Sequence, residues 1–101
     1  MVKQVIWTKL AHENRKSILE YWTDRNKSNV YSKRLNQLFE STTELISKYP
    51  QIGKKTEMAD VRVKIIKEYS LTYRENNTSI EILTIWDQRQ DPDNFKRILS
   101  K

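Results

Sequence analysis

The sequence predicts an α+β domain: an N-terminal strand and an antiparallel two-helix hairpin packed on a small, mainly antiparallel four-stranded sheet, with a short C-terminal helix. Three observations predict it. Apolar residues recur at steps of four and three over residues 31–49, the period changes to two over 61–86, and Pro50, Gly53 and Pro92 fall between or after those stretches.

Val2 to Thr8 reads as the first strand, in residues that favour extended backbone, with Val5 and Trp7 on one face. Leu10 to about Arg25 favours helix, and Ala11, Ile18, Tyr21 and Trp22 form its apolar stripe. Asn26 and Ser28 then offer capping oxygens for a second helix. Along it Tyr31, Leu35, Leu38, Thr42, Leu45 and Tyr49 recur, and Phe39 and Ile46 widen the stripe into a buried face. Pro50 ends the helix, because proline drives the residue before it out of the helical conformation. So short a turn between two helices makes them antiparallel neighbours.

After a Gly53-Lys54-Lys55-Thr56 loop, three strands follow in succession. Val61, Val63 and Ile65 alternate with Arg62, Lys64 and Ile66; Tyr69, Leu71 and Tyr73 alternate with Ser70, Thr72 and Arg74; Ile80 and Ile82 alternate with Glu81 and Leu83 up to Trp86. If the valines meet the helices, Arg62 and Lys64 point to an open second face and make it basic. Asn76-Asn77 reads as a tight hairpin, since asparagine tolerates the left-handed conformation. In the tail, Pro92 stands at a first helical position between Asp91 and Asp93, with Lys96 and Arg97 further on, which suits a short helix.

A length of 101 residues allows one core, so residues 1–101 are read as one domain. The absence of cysteine rules out a disulfide framework and a thiolate metal site, and a single histidine leaves no zinc module. No metal or cofactor is implied. The N-terminal apolar run is too short for a signal peptide or a membrane span, so the expected location is cytoplasmic, with no membrane partner. Nineteen Lys and Arg against 13 Asp and Glu give a net charge of +6, which calls for an acidic partner. That excess is spread along the chain, so any basic patch is assembled by folding.

The sequence contains no phosphate-cradling glycine loop, no GxSxG elbow and no HExxH. His12, beside Glu13, reads as a surface or capping residue rather than a general base, and Glu40 with Glu44 as a solvated helix face rather than a ligand pair. Arg62 and Lys64, together with Lys54, Lys55, Lys67, Arg74 and Arg89, form a set that could converge on a polyanion. The most distinctive stretch is Ile85-Trp86-Asp87-Gln88-Arg89-Gln90-Asp91-Pro92. A tryptophan ending a strand places Asp87 and Arg89 at the sheet rim, and Arg89 is the first choice for function.

Taken in order, Tyr21-Trp22, Tyr49-Pro50-Gln51-Ile52-Gly53-Lys54-Lys55, Arg62-Val63-Lys64-Ile65, Tyr69-Ser70-Leu71-Thr72-Tyr73 and the stretch from Ile85 to Pro92 resemble the RelE/ParE superfamily of bacterial type II toxin-antitoxin toxins. The resemblance implies a small basic toxin neutralised by an acidic antitoxin in a hetero-oligomer. It implies one of two targets: the ribosome, where RelE-like members cut mRNA, or DNA gyrase, which ParE-like members poison without cutting RNA.

In the ribonuclease branch, Arg62, Lys64 and Arg89 match basic positions, and Lys67 or Lys64 is the candidate for proton transfer. Ser70 stands where that branch has an arginine and Phe95 near its tyrosine, and a phenyl ring exchanges no proton. The length of the helical hairpin also looks more like the ParE branch. The favoured expectation is therefore a gyrase-binding toxin whose target or antitoxin surface includes Lys54, Lys55, Arg62, Lys64, Arg74, Trp86, Asp87, Arg89 and Phe95. The alternatives are a ribosome-dependent mRNA endonuclease and a nontoxic interaction module of the same fold.

Overall fold

The computed structural model describes residues 2–89. Their order is β1 (Gln4–Trp7), α1 (Lys9–Asn26), α2 (Val30–Lys48), β2 (Lys54–Lys55), β3 (Val61–Ile66), β4 (Tyr69–Glu75) and β5 (Ser79–Asp87). The expected tail helix and Phe95 lie outside the described residues.

The α+β architecture is as expected, with one strand more than the sequence announced. The sheet runs β1-β5-β4-β3-β2; β1 lies parallel to β5 and the other pairs are antiparallel, so the sheet is mixed. The additional strand is Lys54–Lys55, read above as loop, which pairs through Lys54 with Val63 and through Lys55 with Arg62. Two residues are too few to show a period.

Thr8 joins β1, α1 and β5. Its hydroxyl donates to the carbonyls of Ile82 at 2.8 Å and Leu83 at 3.1 Å, and accepts from the Ala11 amide at 3.2 Å as the α1 N-cap. At the other end of α1, Lys27 takes φ 52°, a left-handed cap that turns the chain within three residues. Ser28, not Asn26, supplies the side-chain oxygen for the second helix, accepting from the Val30 amide at 3.2 Å.

The core joins Ala11 of α1 and Leu35, Phe39 and Ile46 of α2 to Ile66, Tyr69, Leu71, Tyr73, Ile80, Ile82 and Ile85 of the sheet. The buried face of α2 is rotated from the expected stripe: Leu35, Phe39 and Ile46 are buried with Ser32, Thr43 and Ser47, whereas Leu45 and Tyr49 are exposed. A stripe read from apolar residues alone overlooks small hydroxyl residues, which pack well and satisfy themselves on backbone carbonyls. Ser47 does so on the Glu44 carbonyl and Thr43 on that of Glu40. Tyr21, likewise expected inside, is half exposed.

Strand register corrects the expected orientation of β3. Arg62 pairs with Tyr73, Lys64 with Leu71 and Ile66 with Tyr69, so the two basic residues share the helix side of the sheet with core side chains. Val61, Val63 and Ile65 take the opposite face. That face is not open at its centre: Val61, Ser70, Thr72 and Thr84 are all buried. On β5 the alternation breaks where Thr72 pairs with Thr84 and Tyr73 with Ile82, leaving Leu83 as the extra residue of a bulge. The bulge brings Ile80, Ile82 and Ile85 to one face and sends Trp86 to the other, opposite Ser70.

The Asn76–Asn77 connection is the expected tight hairpin between β4 and β5, but without the left-handed conformation. The Asn76 amide donates to the Ser79 carbonyl at 2.9 Å, and among the described residues only Lys27, Asp60 and Lys67 are non-glycines with positive φ, so neither asparagine is left-handed.

Candidate functional site

The basic residues singled out in the sequence separate into two groups at opposite ends of the sheet. Lys54, Lys55, Arg62 and Arg74 gather where β2 meets the start of β3 and the end of β4. Lys67, in the β3–β4 turn, and Arg89, past β5, gather at the other end, where Gln88 donates its amide to the Glu68 carbonyl at 2.8 Å. The five residues of β3 from Arg62 to Ile66 span about 13 Å. Lys64, half-buried, lies between the groups.

At the first end, two of the arginines are already engaged. Arg62 donates from Nη1 to the carbonyls of Gly53 at 2.9 Å and Gln51 at 3.3 Å, tying β3 to the chain leaving α2. Beside it the Tyr73 hydroxyl donates to the Pro50 carbonyl at 2.7 Å and accepts from the Gly53 amide at 2.9 Å. Burial pushes the Tyr73 phenol above its ordinary value. Arg74 pairs across the strands with Glu81 at 3.4 Å. Lys54 and Lys55 remain exposed on the edge strand.

The second end is built around Arg89. Asp87 is the last residue of β5, held opposite Tyr69, and its carboxylate accepts from the Arg89 backbone amide at 2.9 Å, from Nε at 3.0 Å and from Nη2 at 2.8 Å. These hydrogen bonds hold the Asp87 carboxyl below the usual carboxylate range and raise the Arg89 guanidinium above its ordinary value. The guanidinium carbon lies 5.9 Å from the centre of the Trp22 ring, as does that of Arg25. Trp22 Nε1 donates to the Tyr69 hydroxyl at 2.7 Å, and Tyr21 and Tyr31 stack edge-on against the indole. Desolvation raises the Tyr69 phenol above its ordinary value.

Between this cluster and α1 runs an open groove of about 230 Å³ lined by Asn14, Ser17, Ile18, Tyr21, Tyr69, Ile85, Trp86 and Asp87. Asn14 anchors it, its Oδ1 accepting from Thr84 Oγ1 at 2.8 Å and from the Ile85 amide at 3.2 Å.

Chemically, this end presents a fixed cation on an aromatic support. Tyr69 is 2% exposed, its oxygen already accepts from Trp22, and its proton is held more tightly than usual, which makes it ill-suited to proton exchange. Asp87 is committed to Arg89. Ser70 lies on the opposite face from Arg62 and Lys64, so these three positions do not meet. Among the described residues there is no group of three His, Cys, Asp or Glu side chains placed to hold a metal, and no helix long and apolar enough to cross a membrane. His12 is exposed on α1, beside Trp7, Arg15, Lys16 and Leu19, about 15 Å along the helix from Trp22.

A family model described as the ParE toxin of type II toxin-antitoxin system, parDE, matches residues 5–92. The chain belongs to the ParE toxin family. It is thus the toxin component of a type II toxin-antitoxin system, as the resemblance in its sequence implied. A chain in the solved structure of the chromosomal ParDE TA system from P. aeruginosa is similar over 83% of this chain and 94% of its own, with 17% identity and a TM-score of 0.70. At that identity the likeness is one of fold. No curated protein sequence matches the chain.

In this ParE toxin, the sequence placed Arg89 and Asp87 together at the sheet rim, and the structure adds Asn14, Arg25 and Tyr69 to the same end. Tyr21-Trp22 stood out only through the resemblance. Asn14 carries no local signal, because its partners lie 70 and 71 residues away.

Proposed function

We propose that this toxin arrests bacterial growth by binding an essential protein, DNA gyrase, through the end of the sheet that carries Arg89, and that an acidic antitoxin segment neutralises it. The observation that carries the reading is the state of Arg89: a cation held in place by Asp87 and Trp22, beside a Tyr69 phenol whose oxygen is already engaged and an Asp87 carboxylate committed to the arginine. Such an arrangement serves recognition better than phosphodiester cleavage, which needs an acid and a base beside the phosphate. Membership of the ParE family supports the same target.

For the antitoxin, the surface offers both charge and apolar contact. Leu45 of α2 and Tyr49, its C-cap, are both exposed, and Lys54 and Lys55 stand on the edge strand nearby in the chain. An acidic amphipathic segment fits that combination and the net charge of +6.

The test is induction of the full chain in bacteria, followed by isolation of plasmid DNA and mRNA from arrested cells. Gyrase poisoning alters plasmid topology or leaves broken DNA while mRNA stays intact. Cuts in translated mRNA with normal plasmid topology would overturn the reading.

A further inference from the structure

We propose that Asp87 is a positioning residue for the target interaction: it stays out of contact with the target and holds the Arg89 guanidinium so that its outer edge meets an acidic group there. The inference rests on the reading above that Arg89 faces the target.

The geometry separates the two side chains. Asp87 is 18% exposed and Arg89 is 51% exposed, so the carboxylate is the more enclosed of the two. Asp87 itself cannot swing away easily. It closes the β5 ladder opposite Tyr69, and the next residue, Gln88, is bonded to the Glu68 carbonyl. The carboxylate takes Nε–H and one Nη2 hydrogen of Arg89, the inner edge of the guanidinium. Of the five N–H donors of an arginine, the two on Nη1 and the second on Nη2 are not taken by Asp87, and the side chain is half exposed. Trp22 lies beside this fork, 5.9 Å from ring centre to guanidinium carbon, and is itself fixed by its bond to Tyr69.

A free arginine loses considerable rotamer freedom when it binds. Here that loss is borne in the folded toxin, before any partner arrives. Pre-ordering one such side chain is worth about two- to tenfold in affinity. Asp87 also leaves the guanidinium three of its donors: the pair is bidentate, and what it does not take consists only of N–H groups.

The experiment compares the full-length toxin with Asp87→Asn, Arg89→Ala and the double variant in two measurements. The first is the Arg89 Nε–H resonance and its contacts to the Trp22 ring by NMR. The second is the toxin level needed for half-maximal growth arrest. The expected result is a slowly exchanging Nε–H in the original chain and a rapidly exchanging one without Trp22 contacts in Asp87→Asn. The level needed for arrest rises about two- to tenfold in Asp87→Asn, and adding Asp87→Asn to Arg89→Ala changes nothing further. An unchanged Nε–H in Asp87→Asn, undiminished arrest by Asp87→Asn, or an additional loss in the double variant overturns the positioning role alone. Full arrest by Arg89→Ala overturns the parent reading, and with it the proposal.

Discussion

The backbone N–H of Gly53 donates to the Tyr73 phenol oxygen at 2.9 Å, and a Cβ on residue 53 would lie only 2.5 Å from that oxygen and 2.8 Å from the ring. The one glycine of the chain thus marks a close approach between the chain leaving α2 and β4, needed because the connection must pass tightly over the sheet to reach its edge. Gly53→Ala is expected to destabilise the toxin by about 1–3 kcal/mol, through displacement of Tyr73 from the core. Urea unfolding of the two chains measures it.

Trp22 and Tyr69 form the second such linkage, at the end of the sheet that carries Arg89. Trp22→Phe preserves an aromatic ring but leaves the buried Tyr69 hydroxyl without its donor, at a cost of about 1–3 kcal/mol. It also removes the indole beside Arg89 and Arg25. Equilibrium unfolding should show the loss of stability, and growth assays a weaker arrest than that loss alone explains.

Acid should loosen the Arg89 site in a way that depends on Asp87. Hydrogen bonds from Arg89 hold the Asp87 carboxyl below its ordinary value, so the stabilisation is fully present above the usual aspartate range near pH 4. It is lost as pH falls through that range toward the depressed folded value. Unfolding measured from pH 7 to pH 3 should therefore show a steeper acid loss in the original chain than in Asp87→Asn.

Lys67 takes φ 54° in the β3–β4 turn, a left-handed conformation costly for a residue with a Cβ. Lys67→Gly is expected to raise stability by about 1 kcal/mol and to leave growth arrest intact. Loss of arrest with stability raised would give the Lys67 amine a direct part in function.

The two helices and strands β3 to β5 were legible because each carries a period long enough to count, whereas the two residues of β2 do not. What escaped was whatever depends on register. Alternation alone cannot say which face of β3 meets the helices, so Arg62 and Lys64 were assigned to the wrong one; the deciding fact is their pairing with Tyr73 and Leu71. The bulge opposite Thr72 and Tyr73 reverses the parity of β5 midway, and no residue in that strand announces it. The placing of Asp87 and Arg89 at the sheet rim was visible from their position after Trp86. Their seat on Trp22 was not, since α1 and β5 meet only in the folded chain.

The most direct measurement is DNA supercoiling by purified gyrase titrated with the purified full-length toxin and with Arg89→Ala. The toxin should inhibit supercoiling in proportion to its concentration, and Arg89→Ala should need at least tenfold more, an amount equal to about 1.4 kcal/mol of lost interaction. Supercoiling unaffected by the toxin, or inhibited equally by both chains, would contradict the account.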